Sequence, residues 1–206
     1  MPSQRRTVDF WFDPACPYTW LTSRWMREVA AVRDVTVRWR VMSLSVLNEG
    51  RAVDPEGDTE GYLWIPVRIC AAVERAHGAE ALGRFHTALG TALHEPEERD
   101  WRRLFPDALR AADLPEELAE AGGSTAYDAE VRASHAEATR LVGTDVGTPV
   151  LAVSGGGEPR RAFFGPCLTT VPRGEAAGRL WDGVLLMAGV PGFWELRRAA
   201  VDRDVG

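Results

Sequence analysis

The chain has 206 residues, 45% of them apolar and 26% charged, with a net charge of −6. That is enough chain for one domain with a substantial core, or one domain carrying an insertion. The acidic balance without a basic block argues against nucleic acid, and no apolar run approaches the ~20 residues that cross a bilayer.

Three cysteines, Cys16, Cys70 and Cys167, are too sparse and odd a set for a secreted disulfide framework. The polar start, Met1 to Thr7, has no apolar leader run. A reducing cytoplasm is the expected setting. Eight tryptophans in this length are expected to serve mainly the core, and an excess of large aromatics also suits an apolar pocket for a flat ligand.

Residues 7–12 read as a buried strand. Residues 17–32 read as an amphipathic helix, with Pro17 at the favoured first helical position. Val35 to Val41 alternates at period two and is rich in β-branched residues, a second strand. Residues 43–60 carry Gly50, Pro55, Gly57 and Asp58 and read as a loop. Helices are predicted over 62–94 and 98–112, with breaks near Pro96 and Pro106, and another start at Leu114 to Glu117. Gly122 and Gly123 interrupt the pattern. Ser124 is then placed to cap a helix that runs to Val142 and stops at Gly143. Residues 149–153 read as a strand, and 155–157 as a hairpin turn. Residues 161–164 form its partner strand. A last helix spans 174–188, with Ala177, Leu180, Trp181, Val184 and Leu185 on one face.

Cys16 carries the chemistry. It falls between a strand and a helix, where unpaired N–H groups and the positive dipole end favour a thiolate. The alternative is a small buried hydrophobe. Thr19 lies one turn further on. Its hydroxyl either donates to the sulfur, lowering the thiol pKa, or bonds its own preceding turn. Tyr18 and Trp20 flank the thiol and are candidates to line a pocket, with Trp25 and Trp64 as more distant ones. Cys70 reads as core and Cys167 as a structural loop residue. His77, His86, His94 and His135 show no metal-ligand spacing, so no metal is expected. The triple glycine is followed by strand and is not a phosphate cradle.

A βαβ unit, a helical block and a ββα unit make an α/β chain in thioredoxin order. Phe12-Asp13-Pro14-Ala15-Cys16-Pro17 resembles the active-site loop of DsbA-like proteins, and Gly147-Thr148-Pro149-Val150 resembles their cis-proline loop. The resemblance implies a thioredoxin fold with a helical insertion domain: residues 1–58 and 124–206 around an inserted unit at 59–123. It also implies that Pro149 is cis and packed beside Cys16, with the Thr148 backbone free to pair with an extended ligand. Phe164-Gly165-Pro166, Pro172 to Glu175, Trp181-Asp182-Gly183 and Pro191-Gly192-Phe193 resemble the actinobacterial mycothiol-dependent nitroreductase branch. Members of that branch carry a second cysteine where this chain has Thr19. Cys16-Pro17-Tyr18-Thr19 is instead similar to the loop of kappa-class glutathione transferases and 2-hydroxychromene-2-carboxylate isomerases.

These readings imply an enzyme with Cys16 and Thr19 as catalytic residues. Pro17, Tyr18, Trp20, Thr148 and Pro149 would bind substrate. The expected reaction is reversible thiolate addition to a small, apolar, conjugated substrate, giving cis/trans isomerisation, with no required cofactor. The alternative is monothiol redox or thiol-transfer chemistry with mycothiol. A third reading is a binding module with a relic thiol. A substrate tethered to an acidic carrier protein would call for a basic patch, for which Arg24, Arg27, Arg38 and Arg40 are candidates. The expected assembly is a monomer or homodimer.

Overall fold

The computed structural model describes residues 5–95 and 103–197. Four strands form one sheet in the order β2-β1-β3-β4: β1 (Arg6–Phe12), β2 (Val35–Val41), β3 (Val150–Gly155) and β4 (Glu158–Phe164). β1 and β2 run parallel, pairing Phe12 with Val41, so a crossover must join them. Helix α1 (Pro17–Val32) is that crossover. β3 runs antiparallel to β1, and β4 returns beside β3 through a tight turn.

β1 is buried from Val8 to Phe12, and its period-two alternation divides those side chains between two layers. Val8, Phe10 and Phe12 join Leu151 and Val153 in the main core, to which α1, α3 (Trp64–His94) and α6 (Gly174–Ala188) contribute, with Trp39 and Val41 of β2, Ala108 to Leu114 and Val131. Trp11 points to the opposite face. There it meets Met42, Val150, Ala152 and Ala138, the last from α5 (Asp128–Val142). α1 and α6 are pinned together at Trp25 and Trp181, whose rings lie 6.1 Å apart. Arg33, just past α1, forks onto Glu175 and Asp182 of α6.

Two glycines of α3 let large aromatics approach its backbone. A Cβ at Gly83 would lie 2.3 Å from the Trp39 ring, and one at Gly90 would lie 2.2 Å from the Trp20 ring. Seven residues apart, they share one helix face. Gly90 thereby seats Trp20 one turn below Cys16.

The expected strands and the helices at 17–32 and 174–188 match to within two residues, except that β4 begins at Glu158. The predicted loop at 43–60 is corrected at its start: Leu44–Asn48 forms a short helix, α2, because the Ser43 hydroxyl accepts the Val46 N–H at 3.3 Å. α3 begins at Trp64 and bends at Gly78, whose φ of 81° leaves the helical region. The described part of the helix predicted over 98–112 is α4 (Leu104–Ala111). Pro106 lies in its first turn, where a missing N–H breaks no helical bond. The start at Leu114 to Glu117 leads into a 3-10 segment, Glu116–Gly123, instead of an α-helix. Ser124 does cap, but it caps the short 3-10 turn Thr125–Tyr127 that leads into α5.

Candidate functional site

Cys16 is the N-cap of α1, with extended backbone (φ −78°, ψ 116°) and Pro17 following as the first helical residue. Its carbonyl accepts the first intrahelical bond, from Trp20 N–H at 3.1 Å. The preceding loop closes as a turn, with Cys16 N–H donating to Asp13 O at 3.2 Å. The Asp13 carboxyl lies beneath, fully buried. One oxygen accepts from Ala15 N–H at 2.8 Å, and the other accepts from Leu44 N–H at 2.7 Å. A single side chain therefore shapes the cysteine loop and ties α2 to it.

The second wall comes from the other end of the chain. The Thr148–Pro149 peptide is cis, as the resemblance implied, and both residues are buried. Cys16 Sγ lies 3.7 Å from Thr148 O, and Thr19 Oγ1 lies 3.0 Å from Thr148 Oγ1. Thr148 Oγ1 also accepts from Asp13 N–H at 3.3 Å. These contacts form a relay. Either hydroxyl of the pair can donate to the other; with Thr148 as the donor, the Thr19 proton is left to point at sulfur.

The expectation of a strongly acidic thiol meets an opposing force. Cys16 is only 8% exposed, and burial pushes its pKa up; the Asp13 charge adds to that. Thr19, through its hydroxyl and its N–H, and Tyr18, through its N–H, pull the other way without reversing the rise. Burial also holds the Asp13 carboxyl up, at about 7. The resting site thus favours the thiol, and ionisation depends on donors that are already in place.

Around the sulfur, Leu44 and Leu63 form a small apolar cluster with Ala15, Tyr18 and Leu47. Tyr18 and Pro17 are half-buried. Trp20 packs beneath, stacked on His94 at 5.9 Å and edge-on to His86 at 6.0 Å. His94 Nε2 meets Pro14 O at 2.9 Å. His86 is fully buried against Phe12, and neither ring nitrogen has a hydrogen-bond partner among the described residues. Burial holds it well below its usual pKa, and so neutral. Trp25 does not line the site: it is core, with its indole N–H on Ala177 O at 3.1 Å. Trp64 lies between Arg68 and Arg132, each 5.1 Å from its ring.

Sequence reasoning missed two participants, Asp13 and the Thr148 hydroxyl, and one neighbour, Cys167. Asp13 stood in the quoted loop but was given no role. The Thr148 hydroxyl was overlooked in favour of its backbone. Cys167, read as structural, follows a second cis peptide at Gly165–Pro166, and Pro166 O accepts from the Thr22 hydroxyl of α1 at 2.7 Å. That anchor brings Cys167 into the electrostatic range of Cys16. Although the residue is exposed, burial of its thiol and then the Cys16 charge push it up to about 11. Cys70 is core, as expected. The candidate basic patch divides. Arg38 and Arg40 pair with Asp9, Glu74 and Glu137, whereas Arg24 and Arg27 flank the site. Among the described residues, no group of three or more His, Cys, Asp or Glu side chains is arranged to hold a metal. Nor is any described helix long and apolar enough to cross a membrane.

A cysteine at the start of the first helix, beside a cis-proline loop at one end of a four-stranded sheet, defines a DsbA-like thioredoxin-fold thiol protein. Solved structures share the fold. One is a 2-hydroxychromene-2-carboxylate isomerase (TM-score 0.57, 15% identity, 88% of this chain and 94% of that one). Another is the cytosolic disulfide reductase DsbM of Pseudomonas aeruginosa (TM-score 0.51, 18% identity, 87% and 99%). The chain belongs to the Rv2466c-like family, described as mycothiol-dependent nitroreductase Rv2466c, whose model matches residues 15–198. A relative at 37% identity, Rv2286c of Mycobacterium tuberculosis, described as uncharacterized, matches over 97% of this chain and 84% of its own.

Proposed function

We propose that this protein is a single-thiol enzyme that isomerises a conjugated double bond through reversible addition of Cys16. One observation carries the reading. Position 19, where a resolving thiol would sit, holds a buried threonine whose hydroxyl is engaged with Thr148 at 3.0 Å. The motif thus keeps one nucleophile and offers its thiolate donors, against the burial that raises its pKa, without a partner sulfur.

The step balances without an oxidant. The Cys16 thiolate bonds to the β-carbon of a carbonyl-conjugated alkene, and the π pair moves to the carbonyl oxygen as an enolate. The former double bond rotates as a single bond. The enolate then reforms the double bond and expels the thiolate. Thr19 and the N–H groups of Tyr18 and Thr19 hold the leaving thiolate. Leu44, Leu63 and Tyr18 offer an apolar wall to a flat substrate.

A second reading follows from the family. Cys16 would take one sulfur from a substrate disulfide, releasing a thiol. Free mycothiol would then attack the mixed disulfide, return Cys16 and leave with the substrate sulfur. The carbonyl of Thr148 beside Cys16 Sγ is suited to an extended thiol lying across the site. In both readings the setting is cytoplasmic, with residues 59–123 as an inserted helical unit.

The two readings part on one comparison. The reduced protein is incubated with cis and trans α,β-unsaturated thioesters, and in parallel with oxidised mycothiol. Isomer ratio is followed by chromatography and adducts by intact mass. Isomerisation that Cys16→Ser lowers by ~10³-fold or more, the scale of removing a nucleophile, supports addition–elimination. Cys70→Ser and Cys167→Ser should retain it. A stoichiometric Cys16 adduct that free mycothiol removes, with no isomerisation, supports the redox reading. Full activity in Cys16→Ser sinks both.

A further inference from the structure

Beside the cysteine loop, α1, the C-terminal end of α3 and the segment 170–173 enclose a cavity of about 510 Å³. Its floor is Trp20. Its cations are Arg24, Arg27 and Arg173. Cys16, Trp20, Arg24 and Arg27 follow one another at helical spacing on a single face of α1. The face therefore leads from the thiol across an aromatic plane to two guanidinium groups.

Among the described residues, neither of those two groups forms an ion pair. Arg24 lies over the Trp20 ring at 4.0 Å, with Nε toward Ser23 Oγ at 3.3 Å. Arg24 and Arg27 both donate to the same hydroxyl, Thr87 Oγ1, at 3.2 and 3.4 Å. Among the described residues, neither has a carboxylate within ion-pair distance. Of the two carboxylates on the cavity wall, Glu28 is committed to Arg173 and to Gly174 N–H, at 3.3 and 2.9 Å, and Glu95 acts on Arg24 only at longer range. Burial, and then the adjacent Arg27 charge, bring Arg24 down to about 10. Most other half-buried arginines among the described residues have carboxylate partners: Arg33, Arg40, Arg68 and Arg161 all do. Two neighbouring arginines that share one neutral hydroxyl at a cavity present convergent donors suited to an oxyanion.

We propose that Arg24 and Arg27 form the carboxylate subsite of the substrate, so that the molecule reacting at Cys16 is an amphiphilic acid. Its apolar body would run along the cavity between Cys16 and the two arginines. The Cα atoms of Cys16 and Arg24 are about 12 Å apart along the axis at 1.5 Å per residue. Because Arg24 folds back over Trp20, the anion sits closer than that, roughly six to eight carbon–carbon bonds from the reacting carbon. A short free acid spans this distance. The inference rests on Cys16 being the reacting group, and it deepens either chemistry proposed above.

Two measurements test it, and neither requires turnover. In the first, calorimetry with Cys16→Ser protein compares 6-phenylhexanoate with 6-phenylhexanamide. The acid should bind at least about tenfold more tightly, the scale of a charge-assisted hydrogen bond. The preference should fall to within about twofold in Arg24→Gln and in Arg27→Gln, and largely return in Arg24→Lys. Arg27 is exposed, so its substitution leaves the core intact. The second follows alkylation of wild-type Cys16 by 6-maleimidohexanoate, by its amide and by the shorter maleimidoacetate. The long acid should outpace its amide by about tenfold, and the short acid should gain less, because only the long one spans the two groups. Equal binding of acid and amide, or a preference that survives both glutamine variants, overturns the proposal. An advantage independent of chain length also overturns it, since that is a diffuse field and not a subsite. Acid-selective binding beside a Cys16 that proves inert would leave the subsite standing and remove the covalent reading.

Discussion

Thr19 and Thr148, 129 positions apart in the chain, meet hydroxyl to hydroxyl at 3.0 Å beside the Cys16 sulfur. Of the two directions open to this pair, the one with Thr148 donating leaves the Thr19 proton for sulfur. A cysteine at position 19 would replace that donor with a second thiol. The choice between donor and thiol at this one position therefore separates a stabilised single nucleophile from a dithiol pair.

Removing the hydroxyl should raise the Cys16 pKa, because a group that lowers it is lost. Thr19→Val is expected to slow iodoacetamide alkylation of Cys16 at pH 7 by about three- to tenfold, one hydrogen bond's worth. The rate should recover at high pH, where both proteins are ionised. Thr19→Ser should stay near wild type. A pH–rate profile of alkylation checks all three, and a Thr19→Val curve overlying the wild type would remove Thr19 from the relay.

Two buried titratable groups should tilt the pH dependence of stability in opposite directions. Asp13 rises from 3.8 to about 7 on folding, so between those pH values the native state holds a proton that the unfolded chain has lost. Stability from this group is greatest in acid and falls as pH rises, by about 4 kcal/mol in all. His86 stays neutral in the fold while the unfolded chain protonates below its ordinary 6.5. Its contribution therefore falls as pH drops below that value, at ~1.4 kcal/mol per pH unit. Relative to wild type, Asp13→Asn should gain stability from pH 4 to 7, whereas His86→Leu should gain it as pH falls below 6.5. Urea midpoints at pH 4, 5.5 and 7 measure both, and parallel shifts across the series would contradict the assignment.

Gly90 should tolerate no side chain without moving Trp20. Its added Cβ would lie 2.2 Å from the ring, and the contact is with a rigid indole wedged beneath Arg24 and His94. Gly90→Ala is expected to cost about 1–3 kcal/mol. It should also disturb the site, seen as changed alkylation kinetics at Cys16. Gly123→Ala, with nothing within 4 Å of its added carbon, should do neither. Equal melting temperatures for the two variants would refute the close approach.

The sequence by itself determined the strands, most of the helices and the place of Cys16. Each is a local signal: alternation in Val35 to Val41, a one-face repeat from Ala177 to Leu185, and a proline after a cysteine between strand and helix. Local signals fail where a capped helix is too short to show a helical period, as at the five residues Leu44–Asn48. They fail also where glycine only bends a helix, as at Gly78. The sign of the Cys16 pKa shift lay beyond them too. A helix N-terminus favours the thiolate by local geometry, but burial under Leu44, Leu63 and Thr148 opposes it, and burial is set by chains that meet from residues 44, 63 and 148. The partnering of arginines was equally illegible. Arg24, Arg27, Arg38 and Arg40 look alike in one dimension. Packing gave two of them carboxylates and left two at a cavity, because electrostatic partners are chosen by distance in space and not along the chain.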